Sequence, residues 1–225
     1  MEKTIVANHK TNLSLTDINS YIEKLSNASF KPIICPTAIY APYFIQKGIK
    51  TGLQNICFDS DGAYTGEISA QQAKSIGVEY VMIGHSERRR IFKETDEEIN
   101  QKVKRAIENN LKVILCVGDD IGDDYQEVIY NQITKELNEI DEEVIISYEP
   151  VYSIGTDIIP SIDELNKIIK YIKSLFSYDV KVFYGGSVNM RTALDLKKAK
   201  GLSGYLIGSA SLDVDEFINL GEVLL

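Results

Sequence analysis

The sequence predicts an α/β protein in one domain, built of eight strand–helix units. Two observations carry this. Short β-branched runs alternate with amphipathic helical patterns along all 225 residues, at a spacing of about 28 (the length divided by eight). Several runs, such as Val113-Ile114-Leu115-Cys116-Val117, are apolar without interruption, the mark of a parallel strand covered on both faces. No Pro-, Gly- or Ser-rich linker and no shift of composition divides the chain, so residues 1–225 are read as a single domain.

The expected strands, in order, are Thr4–Ala7, Pro32–Cys35, Lys50–Gln54, Tyr80–Ile83, Lys112–Val117, Val144–Tyr148, Lys181–Tyr184 and Tyr205–Ile207. The helices between them have legible starts. Ser14 suits an N-cap ahead of Leu15, Ile18, Ile22 and Leu25. Thr95-Asp96-Glu97-Glu98 reads as a capping box before Ile99, Val103 and Ala106, and Ser161-Ile162-Asp163-Glu164 as a second before Leu165, Ile168, Ile169 and Ile172. In each, the hydroxyl satisfies an orphan N–H and the acid three residues on bonds back. Alternating units require parallel strands with helical crossovers. Periodicity alone leaves open whether the sheet closes into a barrel or stays open and doubly wound, although no Gly-rich dinucleotide fingerprint follows the first strand.

Charge and composition exclude some classes of function. Lys and Arg total 24 against 33 Asp and Glu, a net charge of −9, which argues against non-specific binding to nucleic acid or anionic membranes. A phosphorylated small molecule remains compatible, because a local positive field can sit inside an acidic shell. No apolar run approaches the ~20 residues of a membrane helix. The N-terminal segment has no basic stretch followed by an apolar one, so no secretory signal is expected. Three widely spaced cysteines, Cys35, Cys57 and Cys116, suit reduced thiols in a cytoplasmic setting. Two histidines, His9 and His85, and no CxxC pair make a zinc site improbable; no metal or cofactor is expected.

The chemistry-bearing residues gather after expected strands: Ala7-Asn8-His9-Lys10 after the first, Gly84-His85-Ser86-Glu87-Arg88-Arg89 after the fourth, Tyr148-Glu149-Pro150-Val151 through Gly155-Thr156 after the sixth, Tyr184-Gly185-Gly186-Ser187-Val188 after the seventh, and Gly204 through Ser211 around the eighth. In a closed barrel these positions share one face, where active sites of that fold lie. Taken singly each is weak: Gly185-Gly186 is first a tight turn, His85 a structural or surface histidine, Lys10 a solvated lysine. Jointly and in this order they resemble the triosephosphate isomerase family, over nearly the whole chain.

The resemblance implies a (β/α)8 TIM barrel that interconverts dihydroxyacetone phosphate and D-glyceraldehyde 3-phosphate, in glycolysis and gluconeogenesis. Such a reaction needs a base to move a proton between adjacent carbons, an electrophile for the enediolate oxygen and a grip on the phosphate. Glu149 is the implied base, stiffened by Pro150, which biases it to extended backbone. His85 is the implied electrophile, at the start of a short helical turn; a neutral imidazole in this role is itself a known property of triosephosphate isomerases and is carried over as such. Lys10 is the implied fixed charge, held by Glu87, and Asn8 supplies an amide. Gly155, Ser187, Gly208 and Ser209 match the phosphate-contacting positions, their N–H groups facing the anion. Thr65, in the loop after the third strand, is implied to touch a partner subunit, hence a homodimer.

The sequence departs from the family pattern in several places. Tyr152 stands where tryptophan is usual, Asp157-Ile158-Ile159-Pro160 replaces a lid exit of small residues, Ser209 replaces a glycine, His9 takes a common aromatic position, and the Asp119–Asp124 connection is trimmed. None removes a catalytic group, but the first two bear on lid movement. The competing readings are another phosphate-binding barrel isomerase, which would keep the grip near the eighth strand without the Lys10, His85 and Glu149 set, and a non-catalytic sugar-phosphate-binding barrel, whose mark would be a degenerate site.

Overall fold

The computed structural model describes residues 3–225; Met1 and Glu2, the first residues of the expected domain and of the segment read for a leader, lie outside the described residues. Eight parallel strands follow one another: β1 Thr4–Asn8, β2 Ile33–Cys35, β3 Gly52–Leu53, β4 Tyr80–Ile83, β5 Lys112–Val117, β6 Ile145–Tyr148, β7 Lys181–Tyr184 and β8 Gly204–Ile207. Their order around the sheet is β2-β1-β8-β7-β6-β5-β4-β3. An isolated bridge between Ile34 and Thr51, with Ile34 N–H donating to the Lys50 carbonyl at 2.9 Å, joins the two ends. The sheet is therefore a barrel rather than an open, doubly wound sheet.

Around it lie helices α1 Leu15–Leu25, α2 Ala41–Gln46, α3 Ala70–Ser75, α4 Ser86–Ile91, α5 Asp96–Glu108, α6 Tyr125–Glu136, α7 Ile162–Ser174, α8 Ala193–Leu196 and α9 Val214–Leu224. The alternation of side chains across each strand separates two cores. Val6, Ile33, Cys35, Met82, Ile114, Cys116, Phe183 and Leu206 fill the barrel lumen. Ile5, Ala7, Val113, Leu115, Val117, Tyr205 and Ile207 face the helices. At Gly204 a Cβ would lie 2.3 Å from the Thr4 carbonyl oxygen and 2.8 Å from the Phe183 ring, so glycine is what lets Phe183 fill the lumen beside β1.

The strand readings hold within a residue or so except at the third. Only Gly52 and Leu53 form β3, because Gln54 leaves the ladder to place its amide on the carbonyls of Lys10 and Cys35 at 2.9 and 3.0 Å. The caps at Ser14 and Thr95 form as read, and Ser14 is joined by Asp17 in a full capping box. Ser161 accepts from Glu164 N–H at 3.2 Å, but the Glu164 carboxylate makes no return bond to the cap, so that cap is half of the expected box. Ser69 and Gln72 make a box that the reading did not include. Leu15, at the first turn of α1, points outward at 40% exposure, while Ile18, Ile22 and Leu25 are buried. On α7 all four expected core residues are buried, each worth about 2 kcal/mol in removed apolar surface.

Candidate active site

The C-terminal ends of the strands open into a cavity of about 450 Å³ lined by residues that include Asn8, Lys10, His85, Glu149, Gly155, Ser187, Gly208 and Ser209. The barrel thus brings together every expected site residue except Glu87, which reaches the cavity through Lys10, and Thr65.

Lys10 is positioned by strain that its neighbours enforce. It has φ 51, in the left-handed region that favours glycine. Its carbonyl accepts from Thr37 Oγ1 at 3.0 Å and from Gln54 Nε2 at 2.9 Å, and its N–H donates to Asn8 Oδ1 at 3.1 Å. That last bond uses the Asn8 carbonyl oxygen and leaves the amide Nδ2–H2 as the donor. The Lys10 ammonium hydrogen-bonds Glu87 Oε1. Burial pushes the Glu87 carboxyl up, but the hydrogen bond from Lys10 and the nearby positive charges outweigh it and hold the group below the usual carboxylate range.

His85 caps α4. Its Nδ1 accepts from Glu87 N–H at 3.2 Å. A nitrogen that accepts carries no proton, so this bond assigns the neutral ring with its proton on Nε2. Nε2 lies 3.7 Å from Glu149 Oε1. The imidazole therefore offers a donor toward the cavity, beside the carboxylate.

Glu149 follows β6 and is 1% exposed. Its N–H donates to the Val117 carbonyl at 2.8 Å, and its Oε2 accepts from Ser86 N–H at 3.4 Å. Oε1 has no hydrogen-bond partner among the described residues, so one carboxylate oxygen is held and the other is free. Two glycines press on it. A Cβ at Gly118 would lie 2.0 Å from the Glu149 carbonyl oxygen, and one at Gly185 would lie 2.8 Å from its Cγ. Cys116, behind it on β5, has its thiol pushed well up by burial and by the Glu149 charge.

The far wall is made of backbone donors. The N–H groups of Gly155, Ser187, Gly208 and Ser209 have no acceptor among the described residues. Unpaired N–H groups in a pocket are costly unless a ligand or water takes them, and these four residues all line the one cavity, where their N–H groups are available to an anion. Gly155 has φ 72, in the left-handed region that glycine enters without a steric cost.

No group of three or more His, Cys, Asp or Glu side chains is placed to hold a metal ion among the described residues. No described helix is long and apolar enough to cross a membrane. Cys35, Cys57 and Cys116 are free and buried. Residues 3–224 match the family described as triosephosphate isomerase. The chain belongs to the triosephosphate isomerase family.

Relatives agree across the whole length. A triosephosphate isomerase of Alkaliphilus oremlandii is 36% identical over 245 aligned positions, covering 98% of this chain and 99% of the relative. Triosephosphate isomerases of Francisella tularensis subsp. novicida and Mycoplasmopsis pulmonis are 34% and 36% identical, each covering 96% of this chain and 95% of the relative. Within this triosephosphate isomerase frame, the structure adds residues the sequence reading passed over. Thr37 joins Gln54 in fixing Lys10. Gly118, one residue past β5, clears the space for Glu149; its position directly after a buried strand was the available signal. Asp119 anchors the segment after Glu149: its carboxylate accepts from Tyr148 OH at 2.8 Å and its carbonyl from Val151 N–H at 2.9 Å. Burial raises the Asp119 carboxyl, against the hydrogen bond from Tyr148. Thr65 is exposed and does not line the cavity.

Proposed function

We propose that the cavity binds a triose phosphate and that Glu149, His85 and Lys10 carry its isomerisation, dihydroxyacetone phosphate and D-glyceraldehyde 3-phosphate being the two forms exchanged. The observation that carries the assignment is the placement of a free carboxylate oxygen 3.7 Å from a protonated imidazole nitrogen, in a cavity shared with the Lys10 ammonium. The Glu149 carboxylate removes a proton from the hydroxyl-bearing carbon beside the carbonyl and returns it to the former carbonyl carbon, while the hydroxyl proton passes to the other oxygen, so that carbonyl and hydroxyl exchange places. His85 Nε2–H hydrogen-bonds the oxygen that gains charge in the enediolate. Lys10 faces the same developing charge, and a cation already fixed in place stabilises it without reorganising at the moment of reaction. The N–H groups of Gly155, Ser187, Gly208 and Ser209 hold the phosphate, and the Asn8 amide orients the substrate oxygens. Proton transfer between carbons needs no net redox change, so the residues present suffice in kind.

The reaction serves glycolysis and gluconeogenesis in this reading, with the enzyme in the cytoplasm, which three free buried thiols favour. We also infer a homodimer. The segments after three neighbouring strands, β2, β3 and β4, expose Ile39, Tyr64, Ile91 and Phe92. Exposed apolar side chains on segments that follow neighbouring strands support a protein contact, and Thr65 sits in the middle one of these segments, between Tyr64 and Gly66. The domain is taken to include Met1 and Glu2. A non-catalytic barrel is not favoured, because no member of the acid–base set is missing.

The test is a coupled isomerase assay on the purified chain, run with a chelator and without nucleotide. Interconversion of the two triose phosphates is the expected result. No turnover by correctly folded protein, or turnover that disappears with the chelator, overturns the reading.

A further inference from the structure

The lid exit carries a negative charge that faces the anion cavity. Asp157 lines the cavity together with Ser187, Gly208 and Arg191. Its backbone has φ 62, in the left-handed region, which costs free energy for a residue with a Cβ and persists where the surroundings enforce it. The enforcement comes from one segment, the residues after β7. Asp157 N–H donates to Ser187 Oγ at 3.0 Å, Asn189 Nδ2 donates to Asp157 Oδ1 at 2.7 Å, and the Arg191 guanidinium pairs with Asp157 Oδ2. Asn189 is itself fixed, its Oδ1 accepting from the N–H groups of Arg191 and Thr192 at 2.9 and 3.3 Å. Ser187 Oγ also donates to the Ser153 carbonyl, so the same hydroxyl bonds the backbone on both sides of Gly155.

A bare carboxylate on the wall of a phosphate cavity would repel a dianion. The guanidinium on Asp157 cancels that field and, with Asn189, holds the carboxylate turned toward the β7 side. We propose that Asp157, Asn189 and Arg191 form a charged clasp that docks the lid exit, and that Arg191 is a positioning residue that neutralises Asp157 so that the substrate phosphate can enter. The proposal rests on the phosphate grip assigned above. Arg191 and Asp157 are 76% and 45% exposed at their side chains, so the clasp acts at the surface, is screened by salt, and has a modest effect.

The experiment is steady-state kinetics of Arg191→Met, Asp157→Asn and the double variant at low and high ionic strength. Arg191→Met is expected to raise KM for either triose phosphate about fivefold at low salt, the size of an exposed charge pair, with kcat changed less. The rise should shrink at high salt. Adding Asp157→Asn should return KM to near the parent value, because the carboxylate that needed covering is gone. Arg191→Lys, which keeps the charge, should stay close to the parent. A structural role alone would show neither rescue by Asp157→Asn nor dependence on salt. An unchanged KM in Arg191→Met at low salt overturns the clasp, and so does a double variant as impaired as Arg191→Met. Gly208→Val, whose side chain would grow toward Lys10, tests the grip separately: unchanged KM in that variant means the phosphate binds elsewhere, whereas an impaired Gly208→Val with an unaffected Arg191→Met removes the clasp alone.

Discussion

Glu87 holds both ends of the electrophilic side of the site: its carboxylate grips the Lys10 ammonium, and its backbone N–H fixes Nδ1 of His85. Only the first of these depends on the side chain. Glu87→Gln should leave the His85 tautomer in place while loosening Lys10. Lys10→Met removes the charge outright and should lower kcat/KM by about 10²-fold or more, the scale of one electrostatic contact to developing charge. If the carboxylate acts through the lysine, the double variant will be no worse than Lys10→Met. Full additivity in a double-mutant cycle would refute that coupling.

The reach of Glu149 should set the rate. Glu149→Asp keeps a carboxylate whose reference pKa differs by only ~0.4, but withdraws it by on the order of 1 Å, and a misplacement of that size can cost about 10²-fold. KM should move little, because Ser187, Gly208 and Ser209 of the anion cradle lie after β7 and β8, and shortening the Glu149 side chain leaves the backbone N–H of Gly155 in place. Glu149→Gln should be worse, since an amide accepts no proton. Exchange of substrate tritium with water at the parent rate in the glutamine variant would assign the base to another residue.

At Thr65 the expected outcome concerns assembly. Thr65→Arg puts a bulky charge beside Tyr64 in the exposed apolar segment. Sedimentation should show the variant as monomer, with lower activity if the loop supports the partner's site. An intact dimer would refute the contact, and a fully active monomer the support.

His9 gives the protein a pH dependence in the acid range. It is fully buried against Tyr21, ring centroids 4.8 Å apart, and Phe44, and neither ring nitrogen has a partner among the described residues. Burial lowers its pKa from 6.5 to about 4. Below pH 6.5 the unfolded chain therefore takes up a proton that the folded chain refuses, and stability falls toward pH 4. The loss between pH 7 and pH 5 is on the order of 2 kcal/mol. Glu136 runs the other way, its carboxyl held up to about 7 by burial against the Arg89 guanidinium. His9→Phe isolates the histidine: urea midpoints of variant and parent should converge at pH 7 relative to pH 5, and a gap independent of pH would contradict the assignment.

Much of this was legible in the residues. Uninterrupted apolar runs such as that of β5, the caps at Ser14 and Thr95, and the polar residues placed after strands all act through short-range rules, and the barrel kept them. What the sequence left open depended on closure. Periodicity did not distinguish a barrel from an open sheet, because each strand is covered on both faces in either. The contacts of Thr37 and Gln54 with Lys10 join segments far apart in the chain, and Gly118 matters only because Glu149 arrives beside it from the next strand. The Asp157 departure was visible as a residue, but its partners Asn189 and Arg191 were not, since the pairing exists only once the segments after β6 and β7 lie side by side.

The join between β2 and β3 has a consequence for how activity is lost on heating. A barrel held at one place by the Ile34–Thr51 bridge opens most readily there, and the two side chains that fix the Lys10 carbonyl, Thr37 and Gln54, flank that place. Opening the seam releases Lys10 while the other strand pairs are still intact. Inactivation should therefore precede melting: amide exchange at Ile34 should be faster than at Ile114 or Ile146, and catalysis should fail at temperatures where the far-ultraviolet signal of the helices is still that of the folded chain.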